Sequence, residues 1–335
     1  MTTFLDFLRN RRAFLLTGHE NPDGDCLGAQ AALFHLLRAL GKDVAIVNPD
    51  PIGRGFDFLK KHTPFGHARA EDPLPPFDAV VLLDCCQLSR VGTLGQRLAQ
   101  KGQPIGVIDH HVGSDRGDGT FCYVDPTAAA TGALVRRLFR ELNVPLPMPA
   151  AEGVFLSLVS DTGWFRYSNS DAEVFAMASE LIAAGVDGSR IYDSLYRRNH
   201  PDSAIVLTEA LSRHRLRLNG KLAMASLDKM LMERAARIDF DTDAVLDPLR
   251  SLEGVEVVAL LKERFDGSVK VSMRARGDVD VQAIVATFGG GGHKKAAGAT
   301  LRMPLLAAEA AIETAVQQGL AALAAAQAAG AARQP

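Results

Sequence analysis

Acidic and histidine side chains cluster in one short segment near the start of the chain. The segment HENPDGD places an imidazole and two carboxylates, those of His19, Asp23 and Asp25, within seven residues. Its proline and glycine permit sharp turns that can aim the three side chains at one point. An aspartate is expected here as a helix cap, but capping does not account for the histidine. The mixed oxygen and nitrogen donors therefore favour metal ligation.

Further carboxylates and imidazoles end apolar or helical patterns later in the sequence. Asp84 follows AVVLL, the run IGVID ends in Asp109 and is followed by His110 and His111, and Asp161 begins DTGWFRYSN. Each residue also has an ordinary structural interpretation. Asp84 could be a salt-bridge partner, the two histidines could lie on the surface, and Asp161 could be a turn residue. Adjacent residues of an extended chain point in different directions. We therefore expect His110 and His111 to have different roles.

Six of these side chains form the candidate metal site: His19, Asp23, Asp25, Asp84, His110 and Asp161. Four carboxylates in one cleft would repel one another unless cations neutralised them. Two divalent ions about 3.5–4 Å apart, held by bridging carboxylates, would do so. The mixed donors fit Mn²⁺ or Fe²⁺ better than Ca²⁺ or a site built for Mg²⁺ alone. We expect two divalent ions, with Mn²⁺ favoured and Mg²⁺, Fe²⁺ or Co²⁺ as alternatives.

The patterns around these residues alternate between strand and helix. Strands are predicted at residues 13–18, 44–48, 79–84 and 105–109, and helices at residues 27–40, 131–142 and 172–184. This alternation predicts an α/β domain with a doubly wound, mostly parallel sheet. In such sheets ligands bind beyond the carboxyl ends of the strands, which is where the candidate ligands follow their strands.

The second half of the chain has a different pattern. Strands are predicted at residues 215–218, 222–227, 255–262 and 269–274, with a hairpin turn at Asp266-Gly267. A helix at residues 281–288 runs into four glycines, and another follows Pro304. We predict a catalytic domain at residues 1–188, a helical linker at residues 189–213 and a smaller α+β domain at residues 214–322. An alanine-rich tail at residues 323–335 is expected to fray.

The composition excludes several classes of protein. The 335 residues carry 37 basic and 39 acidic side chains, which argues against binding long nucleic acid through a global positive field. No apolar run reaches the roughly 18 residues that cross a bilayer, and the first residues lack the features of a secretory signal. The four cysteines show no CxxC spacing. We expect a soluble cytoplasmic protein without a membrane partner, and a homodimer stays open.

These motifs resemble the DHH phosphoesterase superfamily, named for a triplet that is present here as Asp109-His110-His111. Its four N-terminal motifs are similar to HENPDGD, the strand ending at Asp84, VIDHH and SDTGWFRYSN. GGGGHKKAAG resembles the signature of the associated DHHA1 substrate domain, and VDPTAAATG is similar to the bacterial nanoRNase and 3′-phosphoadenosine 5′-phosphate (pAp) phosphatase branch. The resemblance implies a DHH domain followed by a DHHA1 domain, and it spans roughly residues 12–320.

The resemblance also implies roles for individual residues. It gives two ligand sets that share two aspartates: His19, Asp23, Asp84 and Asp161 for one ion, and Asp25, Asp84, His110 and Asp161 for the other. The predicted catalytic residues beyond the ligands are His111, which would face the substrate phosphate, and Asp109, which would support it. Ala29 stands where many relatives have serine, at a position that is not a ligand.

The second predicted domain carries a basic, glycine-rich segment. Residues 262–302 contain eight basic and four acidic side chains. The glycine run lets the backbone approach a ligand and present N–H groups to an anion, although a flexible linker is the alternative for such a run. With the resemblance, the predicted substrate contacts are Arg274, Gly290, Gly291, Gly292 and His293. Trp164 and Tyr167 could stack a base, but aromatic residues near a helix end more often belong to the core.

These residues and the resemblance predict a metal-dependent hydrolase of short oligoribonucleotides (nanoRNA) and pAp. In it a metal-activated water attacks phosphorus in line, and His111 stabilises the developing charge. The expected partners are short single-stranded RNA or small nucleotides. A stand-alone phosphodiesterase for linear or cyclic dinucleotides of the c-di-AMP type is the alternative. A non-catalytic nucleotide sensor that uses the same cleft also stays open.

Overall fold

The computed structural model describes residues 3–69, 71–114, 117–119, 121–197 and 200–331. The chain divides into two compact units, Met1–Arg198 and Asn199–Pro335. Within the described ranges, no helix combines the length and the apolar character that a membrane span requires.

The first unit is built on a six-stranded sheet. Its strands are β1 (Ala13–Thr17), β2 (Asp43–Asn48), β3 (Phe65–His67), β4 (Ala79–Leu83), β5 (Ile105–Asp109) and β6 (Phe121–Val124). The order is β3-β2-β1-β4-β5-β6, and every neighbouring pair is parallel. The predicted doubly wound parallel sheet is confirmed. The strand order reverses between β1 and β4, and such a switch point is where α/β sheets bind ligands.

Among the described residues of the first unit, eight α-helices accompany this sheet: α1 (Phe4–Asn10), α2 (Gly24–Ala39), α3 (Asp57–Lys60), α4 (Gly92–Lys101), α5 (Thr131–Glu141), α6 (Met148–Asp161), α7 (Ala172–Ala183) and α8 (Gly188–Tyr196). Helix α1 was not predicted from the sequence, although its start carries a capping signal. The Thr3 hydroxyl accepts the Asp6 N–H and the Asp6 carboxylate accepts the Thr3 N–H, which satisfies two backbone donors of the first turn.

Helices α2 and α6 approach each other closely enough to bring their ends together. A Cβ atom on Gly28 would lie 2.3 Å from the carbonyl oxygen of Gly153, so only glycine fits at this crossing. A Cβ atom on Gly24 would lie 1.9 Å from the Ser160 hydroxyl. The first turn of α2 therefore meets the last turn of α6, and these turns carry acidic residues of the candidate metal site.

The second unit contains a mixed sheet with helices, as the predicted α+β class requires. Its strands are β7 (Arg215–Arg217), β8 (Leu222–Leu227), β9 (Val257–Glu263), β10 (Val269–Ala275), β11 (Gly291–His293) and β12 (Ala296–Leu301). The order is β11-β12-β10-β9-β8-β7, antiparallel except for the β8–β9 pair. Its helices are α9 (Ser203–Ser212), α10 (Lys229–Arg237), α11 (Leu246–Arg250), α12 (Val281–Ala286) and α13 (Leu305–Ala331).

The hairpin expected at Asp266-Gly267 joins β9 and β10, and Gly267 has a φ of +80°. The glycine run differs from expectation, because Gly291 begins the edge strand β11. Residues 189–213, expected as a linker, contribute most of α8 to the first unit and all of α9 to the second. Residues 323–331 of the expected tail continue α13, and residues 332–335 lie outside the described ranges.

Candidate metal centre

The six candidate ligands lie on strand ends and helix ends of the first unit. His19 and Asp84 follow β1 and β4, the two strands at the switch point of the sheet, and His110 follows β5. Asp23 and Asp25 lie at the start of α2, and Asp161 is the last residue of α6. Their ligand atoms fall into compact groups in which every atom lies within 4.8 Å of the others.

The carboxylate of Asp84 lies between the imidazoles of His19 and His110. Its Oδ2 atom is 3.3 Å from His19 Nε2, and its Oδ1 atom is 3.6 Å from His110 Nε2. The residue is buried and its φ is +59°, a conformation that costs a non-glycine residue about 1–3 kcal/mol. The strained backbone thus presents one carboxylate oxygen to each histidine, as a bridging ligand requires.

The first group contains His19, Asp23 and Asp84. His19 Nδ1 lies 2.8 Å from the carbonyl oxygen of Glu20, and donation to this carbonyl leaves the Nε2 lone pair directed at the carboxylates. Asp23 caps α2 with its Oδ1 atom, which accepts two backbone N–H groups. Burial lowers the pKa of His19, but the hydrogen bonds that the ring donates to Asp84 and to the Glu20 carbonyl, together with the nearby carboxylate charges, outweigh this effect, and the pKa rises to about 8.

The second group contains Asp25, His110 and Asp161. His110 Nδ1 lies 3.1 Å from the carbonyl oxygen of Ala128, while Nε2 lies 3.1 Å from Asp161 Oδ2 and 3.5 Å from Asp25 Oδ2. Asp25 is fully buried and accepts the backbone N–H of Thr131 at 2.8 Å. The resemblance implies that Asp161 also serves the first ion, and this sharing stays a prediction.

The charges of the two groups fit divalent cations. Burial, with the neighbouring carboxylates of Asp84 and Asp161, raises the pKa of Asp25 well above its usual value. His110 Nε2 is buried and makes no hydrogen bond of good geometry with any described residue, although carboxylate oxygens surround it. A cation between these atoms would accept the imidazole lone pair and favour the ionised carboxylate. The donors present therefore fit two metal ions.

His111 and Asp109 form a hydrogen-bonded pair beside the two groups. His111 Nδ1 donates to Asp109 Oδ1 at 2.7 Å, and Ser114 Oγ donates to Asp109 Oδ2 at 2.6 Å. The hydrogen bond to Asp109 raises the pKa of His111. Burial would raise the pKa of Asp109, but its bonds with His111 and Ser114 lower it. The buried carboxylate thus fixes the imidazole tautomer and favours its protonated form.

Arg274 and the glycine run line a cavity of about 620 Å³ in the second unit. Asp243 lies in the same wall, 3.7 Å from the Arg274 guanidinium, and its other oxygen accepts the Lys262 ammonium at 2.7 Å. His293 lies on the exposed edge strand β11 and does not line this cavity. Asp243 was not predicted from the sequence, because it lies in a 3₁₀ turn that carries no motif.

Residues 13–158 match the model of the DHH family, N-terminal domain, and residues 238–323 match that of the DHHA1 domain. A Thermus thermophilus protein named bifunctional oligoribonuclease and PAP phosphatase NrnA is 36% identical, over 85% of this chain and 82% of that protein. A Geobacillus thermodenitrificans protein named cyclic-di-AMP phosphodiesterase GdpP is 28% identical, over 86% of this chain and 44% of that protein.

One solved structure shares the whole fold. The crystal structure of an exopolyphosphatase-related protein from Bacteroides fragilis superimposes with a TM-score of 0.84 at 22% sequence identity, and the match covers 94% of each chain. At this identity the likeness shows the fold alone.

Proposed function

This chain belongs to the DHH family, as a hydrolytic phosphoesterase with a DHHA1 domain, and we propose that its substrates are short oligoribonucleotides and pAp. The observation that carries the proposal is the position of Asp84 between the two ligand groups, one oxygen towards His19 and one towards His110. The substrate class is supported by the similarity to the bifunctional oligoribonuclease and PAP phosphatase of Thermus thermophilus.

The proposed metal ligands form two sets that share Asp84 and Asp161. His19 and Asp23 would complete the set for one ion, with Mn²⁺ favoured, and Asp25 and His110 would complete the set for the other. When bound, such ions withdraw negative charge from phosphoryl oxygens and promote deprotonation of water. The hydrogen bonds from Thr131 and Ser157 to Asp25 keep its carboxylate directed into the centre.

We propose that His111 contacts the phosphoryl group and protonates the leaving oxygen. Its Nδ1–H donates to Asp109, and we propose that Nε2 faces the phosphoryl group. The raised pKa favours the imidazolium, which would donate a hydrogen bond to a phosphoryl oxygen and a proton to the departing oxygen. Asp109 would act through His111 by holding the ring in this orientation.

The proposed substrate contacts in the second unit are Arg274, the glycine backbone at residues 290–292 and His293. The cavity wall carries the cations of Arg274 and Lys270 beside glycine N–H groups, which suits a phosphate. Asp243 would restrain the guanidinium. These contacts would hold the part of the nucleotide that is not cleaved.

Replacing Arg274 with alanine is expected to raise the KM for pAp about 10- to 100-fold, because a charged hydrogen bond contributes about 1.5–3 kcal/mol. The kcat should change much less, since we propose that Arg274 binds the substrate and takes no part in the cleavage step. Steady-state kinetics with Arg274→Ala and with the control Arg237→Ala, whose side chain is exposed on α10, measure the effect. An unchanged KM would remove Arg274 from the substrate site.

The proposed function is tested by product release from a short 5′-labelled RNA and from pAp, with Mn²⁺ and with chelator. We expect hydrolysis of both substrates with Mn²⁺ and none with chelator. A metal-loaded protein that hydrolyses neither substrate would contradict the proposal.

A linear or cyclic dinucleotide phosphodiesterase is the second candidate, because the chain is also similar to a cyclic-di-AMP phosphodiesterase. Adding cyclic di-AMP and its linear product to the same assay separates the two. A kcat/KM for cyclic di-AMP that exceeds those for short RNA and pAp would favour the second candidate. Tight nucleotide binding without turnover of any of them would instead indicate a sensor.

A further inference from the structure

We propose that Asn169 is a positioning residue for the second ligand group: its side-chain amide ties the segment that orients His110 to the end of the helix that carries Asp161. This inference rests on the proposed metal centre. Asn169 is the last residue of the segment SDTGWFRYSN, and neither the resemblance nor the proposed metal chemistry gave it a role.

The amide nitrogen of Asn169 donates two hydrogen bonds. Nδ2 lies 3.2 Å from the carbonyl oxygen of Ala129 and 3.1 Å from the carbonyl oxygen of Asp161. Asp161 is the last residue of α6, and carbonyls in the last turn of a helix lack an intrahelical donor. Asn169 supplies that donor and fixes the backbone from which the Asp161 carboxylate projects.

The second carbonyl connects Asn169 to His110. The neighbouring carbonyl, that of Ala128, accepts the hydrogen bond of His110 Nδ1 at 3.1 Å. The carbonyls of Ala128 and Ala129 belong to successive peptide units in the connection between β6 and α5, so the bond to Ala129 also restrains the neighbouring carbonyl of Ala128. One amide therefore helps to position two ligands from different parts of the fold, His110 after β5 and Asp161 at the end of α6.

The second group needs this restraint more than the first. Asp161 is 29% exposed and lies near the fully buried carboxylate of Asp25, so repulsion favours movement of Asp161 towards solvent when no cation is bound. The first group has no contact with Asn169 among the described hydrogen bonds. Loss of the amide should therefore weaken binding of the ion in the second group much more than binding of the ion held by His19, Asp23 and Asp84.

The test is a Mn²⁺ binding isotherm of the full chain, followed through the electron paramagnetic resonance signal of free Mn²⁺. Asn169→Ala and Asn169→Asp both remove the donor. We expect one Mn²⁺ to bind about 10- to 100-fold more weakly, as for other residues that orient metal ligands, and the other within about twofold of the unchanged protein. Ser168→Ala, on the exposed neighbour, serves as the control and should leave both affinities unchanged.

Asn169→Ser retains one hydroxyl donor and should give an intermediate loss of Mn²⁺ affinity. This variant is measured in place of Asn169→Ala if the alanine variant does not fold. Excess Mn²⁺ should restore kcat on pAp while KM stays unchanged. Two unchanged affinities, or an equal loss of both ions, would overturn the inference. The isotherm needs no substrate, so a protein that binds two ions but hydrolyses nothing would contradict the proposed function and not the role of Asn169.

Discussion

Replacement of Asp84 with asparagine is expected to lower kcat by at least ~10³-fold, which corresponds to about 4 kcal/mol of transition-state stabilisation. Asp84 is the side chain with an oxygen towards each histidine, and an amide nitrogen cannot serve as a metal ligand on one side. Asparagine also tolerates the left-handed backbone at this position. The variant should therefore fold and lose function through chemistry alone.

The matched control for this variant is Asp239→Asn. Asp239 also has a positive φ, of +53°, but it is exposed and lies in the second unit. The control tests the same chemical change in the same backbone conformation outside the metal centre. Its kcat should stay within about twofold. If Asp84→Asn retained the wild-type kcat with full Mn²⁺ occupancy, the bridging role would be wrong.

Replacement of His111 with glutamine is expected to lower kcat by about 10²- to 10⁴-fold, the usual contribution of a general acid. The number of bound Mn²⁺ ions should not change, because the two proposed sets are complete without His111. The ring atoms of His111 also lie within 4.8 Å of ligand atoms of Asp84 and His110. A loss of one Mn²⁺ in His111→Gln would show that His111 is a ligand and not the proton donor.

Asp109→Asn tests whether Asp109 acts through His111. The amide cannot favour the imidazolium as the carboxylate does, so this variant alone should also lower kcat. In the double variant with His111→Gln, the Asp109 substitution should add almost nothing, since residues that act as a unit are strongly non-additive. Additive losses would indicate that Asp109 has a separate role.

The strand ends were predictable because each buried strand is a continuous apolar run that stops at a polar residue. The run before Asp84 is an example, and the structure ends β4 at Leu83, directly before it. Parallel strands meet at one edge with their carboxyl ends, so residues that follow different strands were expected to converge. This reasoning also gave the predicted order of elements around His19 and His110.

The hydrogen bonds and backbone conformations that orient the ligands were not predictable, because they depend on contacts between distant parts of the chain. Asp25 accepts the N–H of Thr131, 106 residues later. The positive φ of Asp84 and the amide bridge of Asn169 likewise follow from tertiary structure. Asp84 and Asn169 stand in the sequence as an ordinary strand-end carboxylate and an ordinary loop amide.

Two short strands of the first sheet were not predicted. β3 has three residues and β6 has four, too few for a hydrophobic period to stand out. The glycine run was predicted to contact the substrate, and its strand was not predicted. It includes an edge strand because the chain passes so closely that a Cβ atom on Gly290 would lie 2.4 Å from the carbonyl oxygen of Gly298.

Anomalous diffraction from crystals grown with Mn²⁺ tests the central claim most directly. We expect two manganese peaks in the first unit, one among His19, Asp23 and Asp84, and one among Asp25, His110 and Asp161, with the Asp84 carboxylate between them. A single peak, or manganese bound away from these side chains, would contradict a binuclear centre.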